Sequence, residues 1–310
     1  MALLVTLAGV VVLVVGAELL LRGAVALALK ARIAPLVIGL TVVSLGTSAP
    51  ELVVSVLAAL KGEPGIALGN VIGSNIVNVS LVLGSCVLVF PIGVDRDAYR
   101  IHWPVMMAAT VLLIARLSNG QLSRSEGLVF VGLLMAYVTW MILRSRRQWI
   151  PPSEEQAEAT RSLPKALLMV LLGALGLTFG GDWFVRGASD LAKELGVSDR
   201  LIGLTVVAAG TSMPELVASL VAAFRKQPDI SLGNLIGSNI FNILAILGAA
   251  SAVEPMHLEL SDFLVDLLIM AAVSALLYPM ARLSRRMGRV HGTILTVIYL
   301  AYLAFVIARG

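Results

Sequence analysis

The sequence predicts an all-α membrane protein with ten transmembrane helices arranged as two inverted five-helix repeats. The 310 residues are 58% hydrophobic and only 14% charged, whereas soluble globular proteins are roughly 45–50% apolar and about 25% charged. The apolar residues form continuous runs and do not alternate with polar ones, which favours helices over a β-barrel. The two halves of the chain also resemble each other. Together these observations exclude an ordinary soluble protein.

Ten stretches are long and apolar enough to cross a bilayer, which requires about 20 residues in a helix. We do not expect the first stretch to be a signal peptide, because it lacks a basic start and carries Glu18 and Arg22 within it. In chain order the predicted spans are 3–29, 35–60, 66–90, 101–117, 125–143, 166–192, 200–224, 230–253, 263–282 and 291–308.

The connection 144–165 is the one long polar segment between spans, and it divides the chain nearly in half. With the N-terminus outside, 15 Lys and Arg residues lie in cytoplasmic segments and 6 lie outside, leaving out Arg22 and Arg186 within spans. This bias predicts a multi-pass protein of the plasma (inner) membrane with both termini extracytoplasmic. The net charge of +4 therefore reports topology, and we expect no nucleic-acid partner.

Residues 39–84 align without a gap onto residues 203–248, with 28 identities in 46 positions. Each half has five spans, an odd number, so the second copy enters the membrane from the opposite side. The predicted organisation is a first repeat at 1–143, a cytoplasmic linker at 144–165 and a second repeat at 166–310. Inverted repeats are common in secondary transporters, which bind substrate near the bilayer midplane between the copies.

The first repeated motif reads Gly-Thr-Ser-x-Pro-Glu at 46–51 and again at 210–215. It places Glu51 and Glu215 in mid-membrane, where a charge costs at least ~2.5 kcal/mol. Pro50 and Pro214 cannot donate a backbone hydrogen bond, so we expect each helix to kink and to free carbonyl oxygens. No Lys or Arg lies in these stretches, which leaves a cation or a proton as the partner of the carboxylates.

The second motif, at 69–78 and 233–242, reads Gly-Asn-x-Ile-Gly-Ser-Asn-Ile-x-Asn. Its polar residues recur every four positions and form a stripe that we expect to face the inside of the bundle. The stripes are Asn70, Ser74, Asn78 and Asn234, Ser238, Asn242. For Asn70, Asn75, Asn234 and Asn239 a purely structural role, hydrogen bonding between helices, is an open alternative.

Other polar residues suggest no chemistry. Cys86 is predicted to be a small core residue, and His102, His257 and His291 lack metal-ligand spacing. Two intrahelical pairs, Glu18 with Arg22 and Asp182 with Arg186, are predicted to be structural.

The proposed ligands are all oxygen atoms, without sulfur or imidazole, and such sites suit hard cations. A flexible oxygen cage favours Ca²⁺ over Mg²⁺, and two carboxylates balance one Ca²⁺ or two Na⁺. We expect Ca²⁺ and Na⁺ as transported ions, the lipid bilayer as the surroundings, and no cofactor.

The two motifs, the ten-span plan and the inverted halves resemble the α-repeats of the cation/Ca²⁺ exchanger superfamily, especially its prokaryotic sodium/calcium exchanger branch. The resemblance implies four central helices around one Ca²⁺ site and several Na⁺ sites, with spans one and six sliding across this core.

By the same resemblance, Glu51 and Glu215 are shared carboxylate ligands, and Thr47 and Thr211 contribute backbone carbonyls to Ca²⁺. The flanking Na⁺ sites are completed by Ser48, Ser74, Asn78, Ser212, Ser238 and Asn242, with the backbone oxygens of Ser44 and Ala208 as weaker candidates. The family can carry Asp at position 78 or 242, and this chain has Asn at both.

The predicted function is Na⁺/Ca²⁺ antiport by alternating access, for which a monomer suffices. The closest alternative is a Ca²⁺/H⁺ antiporter in which Glu51 and Glu215 take up protons. A cation channel is a more distant alternative. We do not expect an enzyme, because no nucleophile lies beside a base and the same group of residues occurs twice.

Overall fold

A computed structural model describes residues 1–149, 162–198, 202, 205–206, 210–284 and 286–309. The described chain is almost entirely helical. Its helices are α1 (Ala2–Ala31), α2 (Pro35–Thr47), α3 (Ala49–Leu60), α4 (Pro64–Val89), α5 (Ala98–Leu117), α6 (Arg124–Arg147), α7 (Leu163–Glu194), α8 (Met213–Phe224), α9 (Pro228–Val253), α10 (Leu260–Ser284) and α11 (Arg289–Arg309).

Eight of these helices are long and apolar enough to cross a membrane, and the bent pair of α2 and α3 makes a ninth span in the described part of the chain. Nine of the ten predicted spans are therefore found. The remaining one, 200–224, is described mainly through α8, which has 12 residues, and several residues before it lie outside the described ranges. Helical structure also enters the predicted linker from both sides, up to Arg147 and from Leu163.

Local sequence explains where several helices begin and end. Pro35, Pro64 and Pro228 stand in the first turns of α2, α4 and α9, where a missing N–H costs no hydrogen bond. Helix α6 begins with a capping box in which the Ser123 hydroxyl accepts from the Glu126 amide, and the Glu126 carboxylate accepts from the Ser123 amide.

The second span breaks at Ser48, whose ψ of 8° is not helical, and α2 and α3 meet there at 51°. Pro50 lies in the first turn of α3. In the second copy Ser212 has the same conformation, with φ −90° and ψ 10°, immediately before α8. The kink expected from Pro50 is confirmed as a helix break directly before Ala49. In the second copy the helix likewise begins at Met213, directly after Ser212, and residues 207–209 lie outside the described ranges.

Four two-residue strands, which the sequence did not predict, connect the two halves. β1 (Ile92–Gly93) pairs antiparallel with β4 (Arg286–Met287), and β2 (Gln121–Leu122) pairs with β3 (Met256–His257). Each pair takes one strand from each half of the chain.

Helices α1 and α7 pack antiparallel against each other through glycines. A Cβ atom on Gly16 would lie 2.8 Å from the Leu177 amide nitrogen, and one on Gly180 would lie 2.7 Å from the Leu13 nitrogen. Such backbone contact is possible only without side chains, and it is common between membrane helices. The pair also touches the core helices, since Leu20 of α1 lies within 3.3 Å of the position that a Cβ on Gly46 would take.

Candidate functional site

The two carboxylates predicted from the first motif lie at the helix breaks, completely inside the protein. Glu51 is in the first turn of α3 and Glu215 in the first turn of α8, and their exposed fractions are 1% and 0%. A helix N-terminus carries a partial positive charge, so each break both opens the backbone and stabilises the acid beside it. The two acids are close enough to repel each other electrostatically.

Apart from the helix N-termini, the protein has few groups that compensate these charges. The Ser48 hydroxyl donates to Oε1 of Glu215 at 2.8 Å, but Oε2 of Glu215 and both carboxylate oxygens of Glu51 have no hydrogen-bond partner. Among the described residues neither acid takes part in an ion pair. Buried ionised carboxylates without partners are costly, which indicates that a cation or a proton completes the arrangement.

The stripes of the second motif face inward as predicted. Ser74 and Asn78 on α4 and Ser238 and Asn242 on α9 are at most 3% exposed. Their Oγ or Oδ1 atoms are buried without a partner, as is Oγ of Ser212. Seven of the ten predicted ligands therefore carry at least one buried oxygen that no described group satisfies: Glu51, Glu215, Ser74, Asn78, Ser212, Ser238 and Asn242.

Two of these candidate ligands, Asn78 and Asn242, lie at the start of π-helical segments. α4 is wound as a π-helix over Asn78–Val82, and α9 over Asn242–Leu247. π-helical turns redirect side chains and frequently mark functional sites. Both π segments begin at an asparagine of the polar stripe, so the helix winding changes directly at these candidate ligands.

The three remaining predicted ligands differ from this group. The Ser48 hydroxyl donates to Glu215. The Thr47 hydroxyl lies 3.3 Å from the Ser44 carbonyl oxygen and 3.2 Å from Asn234 Oδ1, and its one hydrogen is shared between these two acceptors. A hydroxyl engaged in this way is compatible with a ligand role for the Thr47 backbone carbonyl. Thr211, at the equivalent position, is partly buried and has interactions of its own.

The backbone carbonyls of Ser44 and Ala208, the weaker candidates, receive less support as ion ligands. The carbonyl of Ser44 already accepts from the Ser48 amide at 2.9 Å and from the Thr47 hydroxyl. Ala208 lies outside the described residues.

The asparagines at the start of each stripe connect neighbouring helices. Asn70 donates to Ser55 Oγ at 2.9 Å, and Asn234 donates to Ser219 Oγ at 3.0 Å. These hydrogen bonds between neighbouring helices fit the purely structural role that the sequence left open for Asn70 and Asn234. Sequence reasoning missed Ser55 and Ser219, although both are serines at equivalent positions of the repeat.

In the part of the chain that the structure describes, no group of three or more His, Cys, Asp and Glu side chains could hold a metal ion. The candidate ligand set thus combines two carboxylates with hydroxyl, amide and backbone oxygens, a chemistry that suits hard cations such as Na⁺ and Ca²⁺.

A separate cavity of about 320 Å³ lies at the linker end of the molecule, the end that carries Arg147 and Leu163. Its polar lining consists of Asp95, Asp97, His102, Arg144, Ser145, Gln148 and Asp229. Asp97 pairs with Arg144 at 3.2 Å. Neither Glu51 nor Glu215 lines this cavity, so it is distinct from the candidate ion site.

Comparison with known proteins agrees with this geometry. The family described as "Sodium/calcium exchanger protein" matches residues 1–143 and 165–308. The chain belongs to this family. It is a multi-pass membrane protein of the prokaryotic sodium/calcium exchanger branch of the cation/Ca²⁺ exchanger superfamily, as its motifs predicted.

Individual relatives of this exchanger cover nearly all of it. CaxA of Alkalimonas amylolytica is 39% identical over 306 residues, which are 96% of this chain and 95% of the relative. The sodium/calcium exchanger MaX1 of Methanosarcina acetivorans is 30% identical over an alignment of 340 positions, which includes gaps and covers 97% of each chain. A solved structure of the sodium–calcium exchanger NCX_Mj, soaked with Na⁺ and without Ca²⁺, superposes with a TM-score of 0.82 at 32% identity and covers 98% of each chain.

Proposed function

We propose that this protein is a Na⁺/Ca²⁺ antiporter that exchanges the two ions at one shared site between its inverted halves. Family membership supports cation/Ca²⁺ exchange. The names of MaX1 and NCX_Mj, which describe Na⁺/Ca²⁺ exchange, support Na⁺ as the coupling ion.

The observation that carries the proposal is the pair of buried carboxylates, Glu51 and Glu215, surrounded by uncharged oxygens without partners. Their two negative charges balance one Ca²⁺ or two Na⁺. Because both ions use the same oxygens, binding of one displaces the other, which is the basis of exchange. The empty site is electrostatically unfavourable, so the protein changes its exposed side mainly when an ion is bound.

Alternating access is the second part of the proposal. Helices α1 and α7 approach so closely at glycines such as Gly16 and Gly180 that their backbones are in contact, so the pair packs as one unit. We infer that this unit moves across the core helices and exposes the site to one side at a time. Of the polar contacts, an ion pair between Glu18 of α1 and Arg225 at the end of α8 connects the unit to the core.

Transport assays in liposomes test the coupling ion. Purified protein should take up Ca²⁺ when an outward Na⁺ gradient is imposed, and it should not respond to a pH gradient alone. Uptake driven by the pH gradient and indifferent to Na⁺ contradicts the proposal and favours the Ca²⁺/H⁺ antiporter. A channel would instead pass Ca²⁺ without any counter-ion, at rates above those of carriers.

The matched control for these assays keeps the fold and removes the site charge. Glu51→Gln with Glu215→Gln leaves side chains of equal size, and its liposomes should show no Ca²⁺ uptake under either gradient. Transport by this variant equal to that of the unmodified protein removes the site assignment.

A further inference from the structure

Four asparagines lie side by side where α4 and α9 cross, and they form two equivalent hydrogen bonds. Asn78 Nδ2 donates to Asn239 Oδ1 at 3.3 Å, and Asn242 Nδ2 donates to Asn75 Oδ1 at 3.0 Å. All four are at most 1% exposed. In each pair one member, Asn78 or Asn242, is a candidate ion ligand whose Oδ1 has no partner.

Each pair continues to a methionine on a different helix. Asn239 Nδ2 donates to Met106 Sδ of α5 at 3.6 Å, and Asn75 Nδ2 donates to Met270 Sδ of α10 at 3.5 Å. The two methionines are at equivalent positions of the repeat and are 0% and 1% exposed. The same three-residue chain, methionine to asparagine to ligand asparagine, therefore occurs twice.

The direction of these hydrogen bonds matters because the two ends of an amide group have similar shapes and opposite polarity. An oxygen that faces the ion site attracts a cation, whereas an NH₂ group repels it. Asn239 alone cannot fix the direction of Asn78, since both amides could turn over together and keep their mutual hydrogen bond. The thioether of Met106 breaks this equivalence, because sulfur without a hydrogen accepts and never donates.

We propose that Met106 and Met270 are positioning residues that, through Asn239 and Asn75, hold the amide oxygens of Asn78 and Asn242 toward the bound cation. This inference rests on the proposed function, because it assumes that those oxygens bind transported ions. It assigns a role to α5 and α10, which carry no candidate ligand themselves.

The first test replaces the sulfur with a carbon of similar volume. Met106→Leu should raise the Na⁺ concentration at half-saturation by about two- to fivefold, the size expected for the loss of one weak hydrogen bond. The matched control is Met280→Leu, because Met280 is also buried, at 8% exposure, while the amide groups of Asn75 and Asn239 donate to Met270 and Met106 instead. Equal Na⁺ affinity in the two variants, with equal thermal stability, overturns the proposal.

The second test separates orientation from packing. In the background Asn78→Asp the side chain presents an oxygen to the cation in either orientation and can only accept, so Asn239 turns to donate to it and Met106 no longer fixes which atom faces the ion. Met106→Leu should then leave Na⁺ affinity unchanged within a factor of about two. The same two- to fivefold loss in both backgrounds shows that Met106 only packs. Equilibrium binding of Na⁺ to the detergent-purified protein is measured, because it does not require these variants to transport.

The second copy of the repeat allows the same two tests to be repeated independently. Met270→Leu is compared in the unmodified protein and in the Asn242→Asp background.

Failure of this inference is distinguishable from failure of the proposed function. If the unmodified protein exchanges Ca²⁺ for Na⁺ while both methionine variants match Met280→Leu, only the positioning role is wrong. If the unmodified protein exchanges Ca²⁺ for protons alone, the Na⁺ coupling is wrong, and the same variants are compared by their Ca²⁺ affinity.

Discussion

The hydroxyl of Ser48 donates a 2.8 Å hydrogen bond to the carboxylate of Glu215, so a residue of the first copy serves the acid of the second. The equivalent contact in the other direction is absent among the described residues: Ser212 Oγ and both carboxylate oxygens of Glu51 have no partner. The two copies are therefore alike in sequence here and different in hydrogen bonding. This difference distinguishes the two acids within one site.

The first prediction concerns this asymmetry. Ser48→Ala should raise the Ca²⁺ concentration at half-maximal exchange by about tenfold, because a hydrogen bond to a charged group is lost and Glu215 is held less firmly. Ser212→Ala removes a hydroxyl that bonds to neither acid, and its effect on Ca²⁺ should be smaller. Ca²⁺ uptake at varied concentration measures both, and equal effects contradict the ordering.

The second prediction concerns the acids themselves. Glu51→Gln and Glu215→Gln should each abolish Ca²⁺ binding measured by calorimetry, since one remaining carboxylate cannot balance a divalent ion in a buried site. The control is Glu254→Gln, which removes an exposed carboxylate that pairs with Arg124 at 3.6 Å on the surface. This variant should bind Ca²⁺ normally. Normal binding by both site variants removes Glu51 and Glu215 from the ligand set.

The third prediction concerns the glycine contacts between α1 and α7. Gly16→Val should destabilise the protein by about 1–3 kcal/mol and slow exchange, because its side chain would meet the backbone of α7. Gly132→Val is the control, since a Cβ at Gly132 of α6 has no atom within 4 Å. Thermal unfolding in detergent, followed by tryptophan fluorescence, should separate them. Equal thermal stability of Gly16→Val and Gly132→Val would contradict the prediction.

The fourth prediction concerns the ion pair between Glu18 and Arg225. Arg225→Glu should change the maximal exchange rate, and the charge swap Glu18→Arg with Arg225→Glu should restore part of it, since opposite charges then face each other again. The coupling from a double-mutant cycle should be about 0.2–1 kcal/mol, as for other partly exposed pairs. Arg22, which pairs with Glu18 within α1, supplies the control Arg22→Gln. Additive effects of the two single variants show that the contact does not influence transport.

Much of the fold could be predicted because the lipid bilayer permits few kinds of secondary structure. Continuous apolar runs and the need to satisfy every backbone group determine where helices lie, so nine of ten spans follow from the sequence. The breaks at Ser48 and Ser212 follow from the prolines two residues later. The candidate ligands could be predicted because a mid-membrane carboxylate such as Glu51 has few structural explanations.

What the sequence could not provide is the pairing between distant residues. The contact of Asn75 with Met270 depends on which helices cross and at what level, and neither residue type indicates a partner. The same is true of Glu18, whose intrahelical pair with Arg22 was predicted and whose contact with Arg225 was not. Strand pairs of two residues are too short for any periodic pattern to reveal them.

The strand pairs have a consequence for how the two halves of the chain assemble. β1 and β2 find their partners, β4 and β3, only in the other half, so a separate half would expose two unpaired edges. Two identical halves could satisfy each other in the same way. Two polypeptides cut between residues 149 and 162 should therefore reassemble when expressed together.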